Sequence, residues 1–403
     1  MYRFKRVFIL VMDSLGVGAA PDAERFGDEG AATLQHIVES ADLEIPALLG
    51  LGLGNILRNH PGLPPAAAPA GFFGKMTEAS PAKDTCTGHW EMMGVIREQP
   101  PRLYPAGFPS DFMAALTKET GREFLGNKPA SGTEIIAELG AEQLRSGHPI
   151  IYTSADSVLQ IAAHNDVMPL EELYRVCETA RRLATGRWEV DRVIARPFVG
   201  SVEAGFRRTE DRRDYSIPPP RNYLDLMTEA GVPVTLVGKL EDVFGGRGFS
   251  ESYHTHSNQE TAVAVTELVM NFKEGLVFAN FIDFDMLYGH RNDVGGYARA
   301  LADFDTWLAE VLANWPVGDL LILTADHGND PTFPGTDHTR EYVPLLTYHR
   351  VQIGGHSLHN LGVRSSFADL GATVVENFDV EPSLAGRSLL ADIRPDLGIG
   401  EKR

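Results

Sequence analysis

Two cysteines in 403 residues, Cys86 and Cys177, leave no material for a disulfide framework, and a reducing compartment is the simpler expectation. Positive charge is short as well. Lys and Arg number 36 against 55 Asp and Glu, a formal net charge of -19. A surface of that sign does not gain from counterion release, so no nucleic-acid partner is expected. An anionic substrate is compatible with it only where metal ions or a few local basic residues reverse the field. No stretch approaches the ~20 apolar residues that span a bilayer. The start "MYRFKRVFILVMD" has basic residues before an apolar run, but that run, Val7 to Met12, closes at Asp13 and is short for a signal peptide. These absences point to a cytoplasmic protein without membrane contact.

Familiar catalytic signatures are missing too. There is no G-x-x-x-x-G-K-[ST] phosphate loop, and "GVGAAP" (16–21) lacks the third glycine of a dinucleotide fingerprint. A cysteine phosphatase needs C-x5-R, yet Cys86 meets Met92 and Cys177 meets Leu183 at that spacing. "DFDML" (283–287) is a distant match to an aspartate-nucleophile phosphotransferase motif, with Leu287 a poor fit.

What is present reads as a globular enzyme: 43% apolar and 23% charged residues leave no room for disorder or a fibrous repeat. The length predicts two domains. Four short apolar runs, "VFILVM" (7–12), "VPVTLVG" (232–238), "LVFANFI" (276–282) and "DLLILTA" (319–325), suit strands buried on both faces of a parallel sheet. Between them "NQETAVAVTELVMNFKEG" (258–275) has helical spacing with a closing glycine as its expected C-cap, and "GGYARALADFDTWLAEVLANW" (295–315) is similar. Alternating strands and helices predict an α/β fold, a doubly wound, mostly parallel sheet. Proline-rich "EQPPRLYPAGFP" (98–109) and "SIPPPRN" (216–222) bracket a region with its own helix, 169–184, and its own strands. The expected organisation is a core from 1–98 and 222–403 with a smaller α+β cap domain inserted at 99–221.

Three of the buried runs end in acid: Asp13, then Asp283 and Asp285, then Asp326. Ligands of an open parallel sheet bind beyond the carboxyl ends of its strands. One such aspartate is an ordinary helix cap. Three of them, with His290, His327 and His338 close behind, are better explained as metal ligands of mixed carboxylate and imidazole type. Six ligands exceed one ordinary site and suit two adjacent divalent ions, ~3.5–4 Å apart, clamping a transferring phosphoryl group. The polar loop "KDTCTGHWEMMG" (83–94) then offers the attacking hydroxyl, from Thr85 or Thr87.

"VMDSLGVGAAPDAERFGD", "KDTCTGHWEMMG", "GNKPASGTEI", "YTSADSVLQIAAH", "RVIARPFVG", "IDFDMLYGHR" and "TADHGNDPTFPGTDHTREYVPLL" together resemble the phosphopentomutase family of the alkaline phosphatase superfamily, through nearly the whole chain. The resemblance implies an alkaline-phosphatase-like core that interconverts ribose 1-phosphate and ribose 5-phosphate, and the deoxyribose pair, through a bisphosphate intermediate. It implies that Thr85 is the phosphorylated residue. It divides the ligands of two manganese ions into Asp13, Asp326 and His327, with the Thr85 phosphate, and Asp285, His290 and His338. It implies pentose phosphates as the small-molecule partners, with Ser154, Asp156 and Val158 facing the sugar and Arg192, Arg207 and Lys239 meeting anionic groups. Arg208 stands beside Arg207 in "RRTEDRRDY" and blurs which arginine meets phosphate. A sugar bisphosphate activator is also compatible with the resemblance.

Overall fold

The structure is a computed structural model that describes residues 3–57, 60–154, 157–350 and 359–394. The chain divides into two compact units, Met1–Gln99 with Pro219–Arg403, and Pro100–Pro218. In chain order the first unit contributes β1 (Arg6–Met12) and β2 (Phe72–Met76). The inserted unit contributes β3 (Leu125–Pro129), β4 (Ile150–Thr153), β5 (Val158–His164), β6 (Arg192–Ser201), β7 (Gly205–Arg208) and β8 (Arg213–Ser216). The first unit resumes with β9 (Val234–Val237), β10 (Glu251–Tyr253), β11 (Gly275–Phe281), β12 (Asp319–Thr324), β13 (Val343–Tyr348) and β14 (Asn360–Arg364).

The large sheet runs β10-β9-β11-β1-β12-β13-β2-β14. Its first five strands are parallel, and β13 is antiparallel to both neighbours. Every residue of β1, β11 and β12 is buried, which is why these runs are continuously apolar rather than alternating. Helices Asn258–Asn271 and Val294–Ala313 pack beside them, the first capped by the Ser257 hydroxyl and the second by Asp293. The α/β expectation holds for this unit. Among the described residues no helix is long and apolar enough to cross a membrane.

One element ends elsewhere than its sequence pattern suggests. The helix from Asn258 stops at Asn271, and Gly275, expected as its C-cap, is instead the first residue of β11. Its φ of 109° and the Pro233 carbonyl, 2.2 Å from where a Cβ would sit, are what demand glycine there.

In the inserted unit the sheet runs β3-β4-β5-β6-β7, with β8 also pairing β6. Parallel and antiparallel pairs alternate along it. One face buries Ile151, Leu159, Ile161, Val193 and Ala195 with Phe112, Leu116, Leu173 and Cys177 of two helices. The opposite face buries Ile150, Tyr152, Ala162 and Phe198 with Ile135 and Ile136 of helix Gly132–Ser146.

Candidate functional site

Sheet register brings the acids together. Val11 lies opposite Thr324, so the residues two places on, Asp13 and Asp326, emerge level at the carboxyl edge. Beyond β11 a single π-helical turn, Phe284–Tyr288, carries Asp285. Such a turn inserts one residue into a helical path and re-aims its side chains. Asp13 and Asp326 are fully buried and Asp285 nearly so. His327 Nε2 is 3.3 Å from Asp326 Oδ2 and 3.5 Å from Asp13 Oδ1. His290 Nε2 is 3.2 Å from Asp285 Oδ2, and His338 Nε2 is 3.5 Å from Asp285 Oδ1. The His327 and His338 rings stack with centroids 3.8 Å apart, joining the two groups.

This donor set fits divalent cations. Ligand atoms of Asp13, Asp326 and His327 lie within 4.8 Å of one another, as do those of Asp285, His327 and His338. Asp13 Oδ1 and Asp326 Oδ2 are buried without a hydrogen-bond partner, a costly condition for carboxylate oxygens. Nδ1 of His327 is 3.1 Å from the Gly328 carbonyl and Nδ1 of His290 is 2.6 Å from the Thr336 carbonyl. Each Nδ1–H donates outward and turns Nε2 toward the carboxylates, the orientation of a metal-ligating imidazole. The Nε2 atoms of His290 and His338 stand 3.2 Å apart, where two lone pairs repel unless a proton or a cation intervenes.

The titration behaviour follows from the same crowding. Burial first, then the charge of Asp326, pushes Asp13 up from the usual carboxylate range. Asp326 and Asp285 are held well below that range despite their burial, chiefly by His327 and His338 respectively. Burial lowers His327, but Asp326, Asp285 and Asp13 outweigh it and push the imidazole up to about 10. A proton on His327 and the Lys239 ammonium are the protein's own counter-charges, and a bound divalent ion takes over from the proton. Lys239 Nζ is 2.5 Å from Asp13 Oδ2 and 3.4 Å from Thr85 Oγ1.

The threonine stretch is a helix, Thr85–Met92, rather than the expected loop. Asp84 is its N-cap: Oδ1 accepts from the Thr87 N–H at 3.1 Å and Oδ2 from the Thr87 hydroxyl at 2.7 Å. Capping is a local device that a hydrophobic-period pattern does not register. It also separates the two threonines. Thr87 is fully buried and committed to its cap, whereas the Thr85 hydroxyl is 3.1 Å from His327 Nε2.

Asp283, the other strand-end acid, turns away from this group. Its Oδ2 accepts from the Asn258 N–H, and its own N–H donates to Asn258 Oδ1, tying down the start of a helix.

The remaining sequence-derived residues belong to the inserted unit. Ser154 follows β4 and lines a shallow depression with Pro105, Pro129, Ala130 and Ser131. Val158 is buried at the head of β5, where its carbonyl accepts the Thr153 hydroxyl. Asp156 lies outside the described residues. Arg192 Nη1 is 3.8 Å from Asp214 Oδ2. Arg207 is exposed, and the two-residue alternation of β7 sends its neighbour Arg208 to the other face of the sheet. There Arg208 reaches the Tyr152 hydroxyl and has a buried Nε with no partner. Arg196 joins that face, its Nε donating to Gln160 Oε1 at 3.1 Å. Arg207 and Arg208 therefore face opposite sides of that sheet.

The residues that hold these side chains in place leave little local signal in the sequence. Asn329 donates from Nδ2 to Asp285 Oδ1 at 2.8 Å. The buried Glu341 accepts four hydrogen bonds: from the N–H groups of Gly18 and Thr33, and from the hydroxyls of Thr33 and Thr339. A Cβ on Gly16 would lie 2.1 Å from Glu341 Oε2, so that glycine is the one local trace of its presence. His89, inside the quoted threonine stretch, is fully buried against Thr85 and Asp326.

Residues 5–382 match the metalloenzyme superfamily. The phosphopentomutase of Caldanaerobacter subterraneus subsp. tengcongensis is 52% identical over 396 residues, covering 98% of this chain and all of that protein. The phosphopentomutase of Levilactobacillus brevis is 50% identical over 398 residues, covering 97% of this chain and all of that protein. Among solved structures, Leishmania mexicana phosphoglycerate mutase covers 95% of this chain and 98% of its own at 13% identity, with a TM-score of 0.45. By its full-length similarity to curated relatives, the chain belongs to the phosphopentomutase family of enzymes, within the metalloenzyme superfamily.

Proposed function

We propose that the protein interconverts ribose 1-phosphate and ribose 5-phosphate, and their 2-deoxy counterparts, through phosphorylated Thr85 and a sugar bisphosphate. The observation that carries this is the Thr85 hydroxyl, 3.1 Å from His327 Nε2 at the meeting point of three buried carboxylates, in a chain whose full-length relatives bear that name. Manganese ions held by Asp13, Asp326 and His327 and by Asp285, His290 and His338 would supply positive charge for the phosphoryl oxygens and favour the Thr85 alkoxide.

The chain's own groups account for the rest. Phosphothreonine 85 meets the free hydroxyl of a bound sugar phosphate. As the bond from phosphorus to the sugar oxygen forms, the bond to Thr85 Oγ1 breaks, leaving a bisphosphate and a free threonine. The reversed bisphosphate then returns its other phosphoryl group to Oγ1. Lys239, in contact with Asp13 and 3.4 Å from Thr85 Oγ1, follows the charge on that oxygen. The inserted unit is the substrate unit. Ser154, Asp156 and Val158 serve the sugar, and Arg192 with Arg208 takes the phosphate that is not reacting. Four arginines, at 192, 196, 208 and 212, gather near one carboxylate, Asp214, and are a local reversal of the chain's negative field.

A phosphohydrolase would need the same metal ligands and the same nucleophile, and the acceptor decides between them. With manganese and ribose 1-phosphate, the purified protein is expected to yield ribose 5-phosphate without matching release of inorganic phosphate. Release of phosphate with no ribose 5-phosphate would refute the mutase assignment.

A further inference from the structure

We propose that His89 is a positioning residue that, by a fixed tautomer, ties the Thr85 backbone to Asp326 and so sets where the Thr85 hydroxyl sits. It rests on Thr85 as the nucleophile. His89 lies one helical turn after Thr85 and is wholly buried, its ring against Phe278 at a centroid distance of 5.8 Å. Asn280, on β11 in the middle of the sheet, has Nδ2 2.9 Å from His89 Nε2. That amide N–H can only donate, so Nε2 accepts and the ring proton sits on Nδ1. Nδ1 is 2.8 Å from the Thr85 carbonyl and 3.3 Å from Asp326 Oδ2. The opposite tautomer would set an N–H against the Asn280 amide and a lone pair against both a carbonyl and a carboxylate. The carbonyl and the carboxylate beside Nδ1 fix the proton there, and the Asn280 amide, with Nδ2 toward the ring, matches that position.

The consequence is mechanical. Donation to the Thr85 carbonyl fixes the first peptide of helix Thr85–Met92, and the Asn280 bond anchors that peptide to the strand next to β1. The residual attraction to Asp326 Oδ2 holds one candidate metal ligand in the same frame while leaving its oxygen without a hydrogen bond of its own. Misplacement of a reacting group by about 1 Å costs on the order of 100-fold in rate, so a strut under the nucleophile shows in turnover more than in binding.

Two substitutions separate the ring's ends. In His89→Asn the amide nitrogen falls near Nδ1 and still reaches the Thr85 carbonyl. In His89→Gln the amide falls near Nε2, where its oxygen accepts from Asn280 Nδ2, and it does not reach the Thr85 carbonyl. His89→Gln is expected to lower kcat about 10–100-fold with KM within about threefold, and His89→Asn to recover to within about fivefold of wild type. Equal rates in the two variants, or a loss confined to KM, would overturn the proposal. Nitrogen-15 NMR of imidazole-labelled wild-type protein reads the tautomer without any substitution: a proton on Nδ1 of His89 is expected, and a proton on Nε2 overturns the inference even if both variants fail to fold. Thr85→Val run alongside keeps the causes apart. Activity retained in Thr85→Val removes the nucleophile assignment beneath the proposal, whereas an inactive Thr85→Val beside a fully active His89→Gln overturns the role of His89 alone.

Discussion

Removing the Glu341 side chain should cost more than its distance from the reacting atoms suggests, and the two ends of its carboxylate should not be equivalent. Oε2 accepts from two fixed donors, the Gly18 N–H at 3.0 Å and the Thr33 N–H at 2.9 Å. Oε1 accepts from two hydroxyls, Thr33 at 2.6 Å and Thr339 at 2.7 Å. In Glu341→Ala both backbone N–H groups lose their acceptor, at about 1–3 kcal/mol each, and a void opens between Gly16 and Gly328. A total of about 3–5 kcal/mol is expected. With an unfolding entropy of about 2.1 cal/mol/K per residue over 403 residues, that lowers Tm by about 4–6 °C. Glu341→Gln should lose only about 1–2 kcal/mol. Its carbonyl oxygen can take the Oε2 position, and the two hydroxyls can rotate to accept from its NH2. Because Glu341 braces Thr339, next to His338, and fills the space beside Gly328, next to His327, the alanine variant should also bind Mn2+ about 10–100-fold more weakly. Thermal and urea melts followed by circular dichroism, with calorimetric Mn2+ titration, measure all of this. Alanine costing under about 1 kcal/mol, or glutamine costing as much as alanine, would refute the hydrogen-bond assignment.

Three further outcomes are expected. Thr85→Val should lower kcat by a factor on the order of 10⁴ or more and carry no phosphate adduct by intact mass, while Thr87→Val should lose stability through its cap and keep the adduct. Arg208→Ala should raise KM for ribose 5-phosphate about 10–100-fold, and Arg207→Ala should change it by less than about twofold, as steady-state kinetics will show. Asp330 is buried, which alone would raise its pKa, but the Ala32 and Thr332 N–H groups and His36 hold it below the usual carboxylate range. A depressed carboxylate stabilises the fold above its unfolded pKa of about 3.9, and that stability is lost as pH falls through the lower folded value. Urea melts should therefore find wild type more stable than Asp330→Asn by a constant margin above about pH 5, with the margin closing below about pH 4. A margin that holds or widens toward pH 3 would contradict the assignment.

The strands that carry Asp13, Asp285 and Asp326 were legible because burial on both faces leaves an unbroken apolar run, and in an open parallel sheet that run says which end is functional. The histidines were legible by their nearness to those ends. Other features lie in relations that a linear pattern does not contain. The helix Thr85–Met92 is held by its Asp84 cap and by contacts with the sheet rather than by an apolar stripe. In "FRRTEDRRDY" the order of the arginines does not say which side of the sheet each faces, and only the pairing of β7 with β6 puts Arg207 and Arg208 on opposite faces. Asn280 meets His89 across 191 residues and Glu341 meets Thr33 across 308, so neither contact leaves a local spacing. Gly275 looked like a helix stop because a glycine at a sheet entrance and one at a C-cap meet the same demand for positive φ.

Anomalous diffraction at the manganese edge, from crystals grown with Mn2+, tests the two-ion centre directly. Two peaks about 3.5–4 Å apart are expected, one among Asp13, Asp326 and His327 and the other among Asp285, His290 and His338, with the Thr85 oxygen or its phosphate beside the first. A single peak away from these side chains, or ions that leave Thr85 Oγ1 out of reach of both, would contradict it.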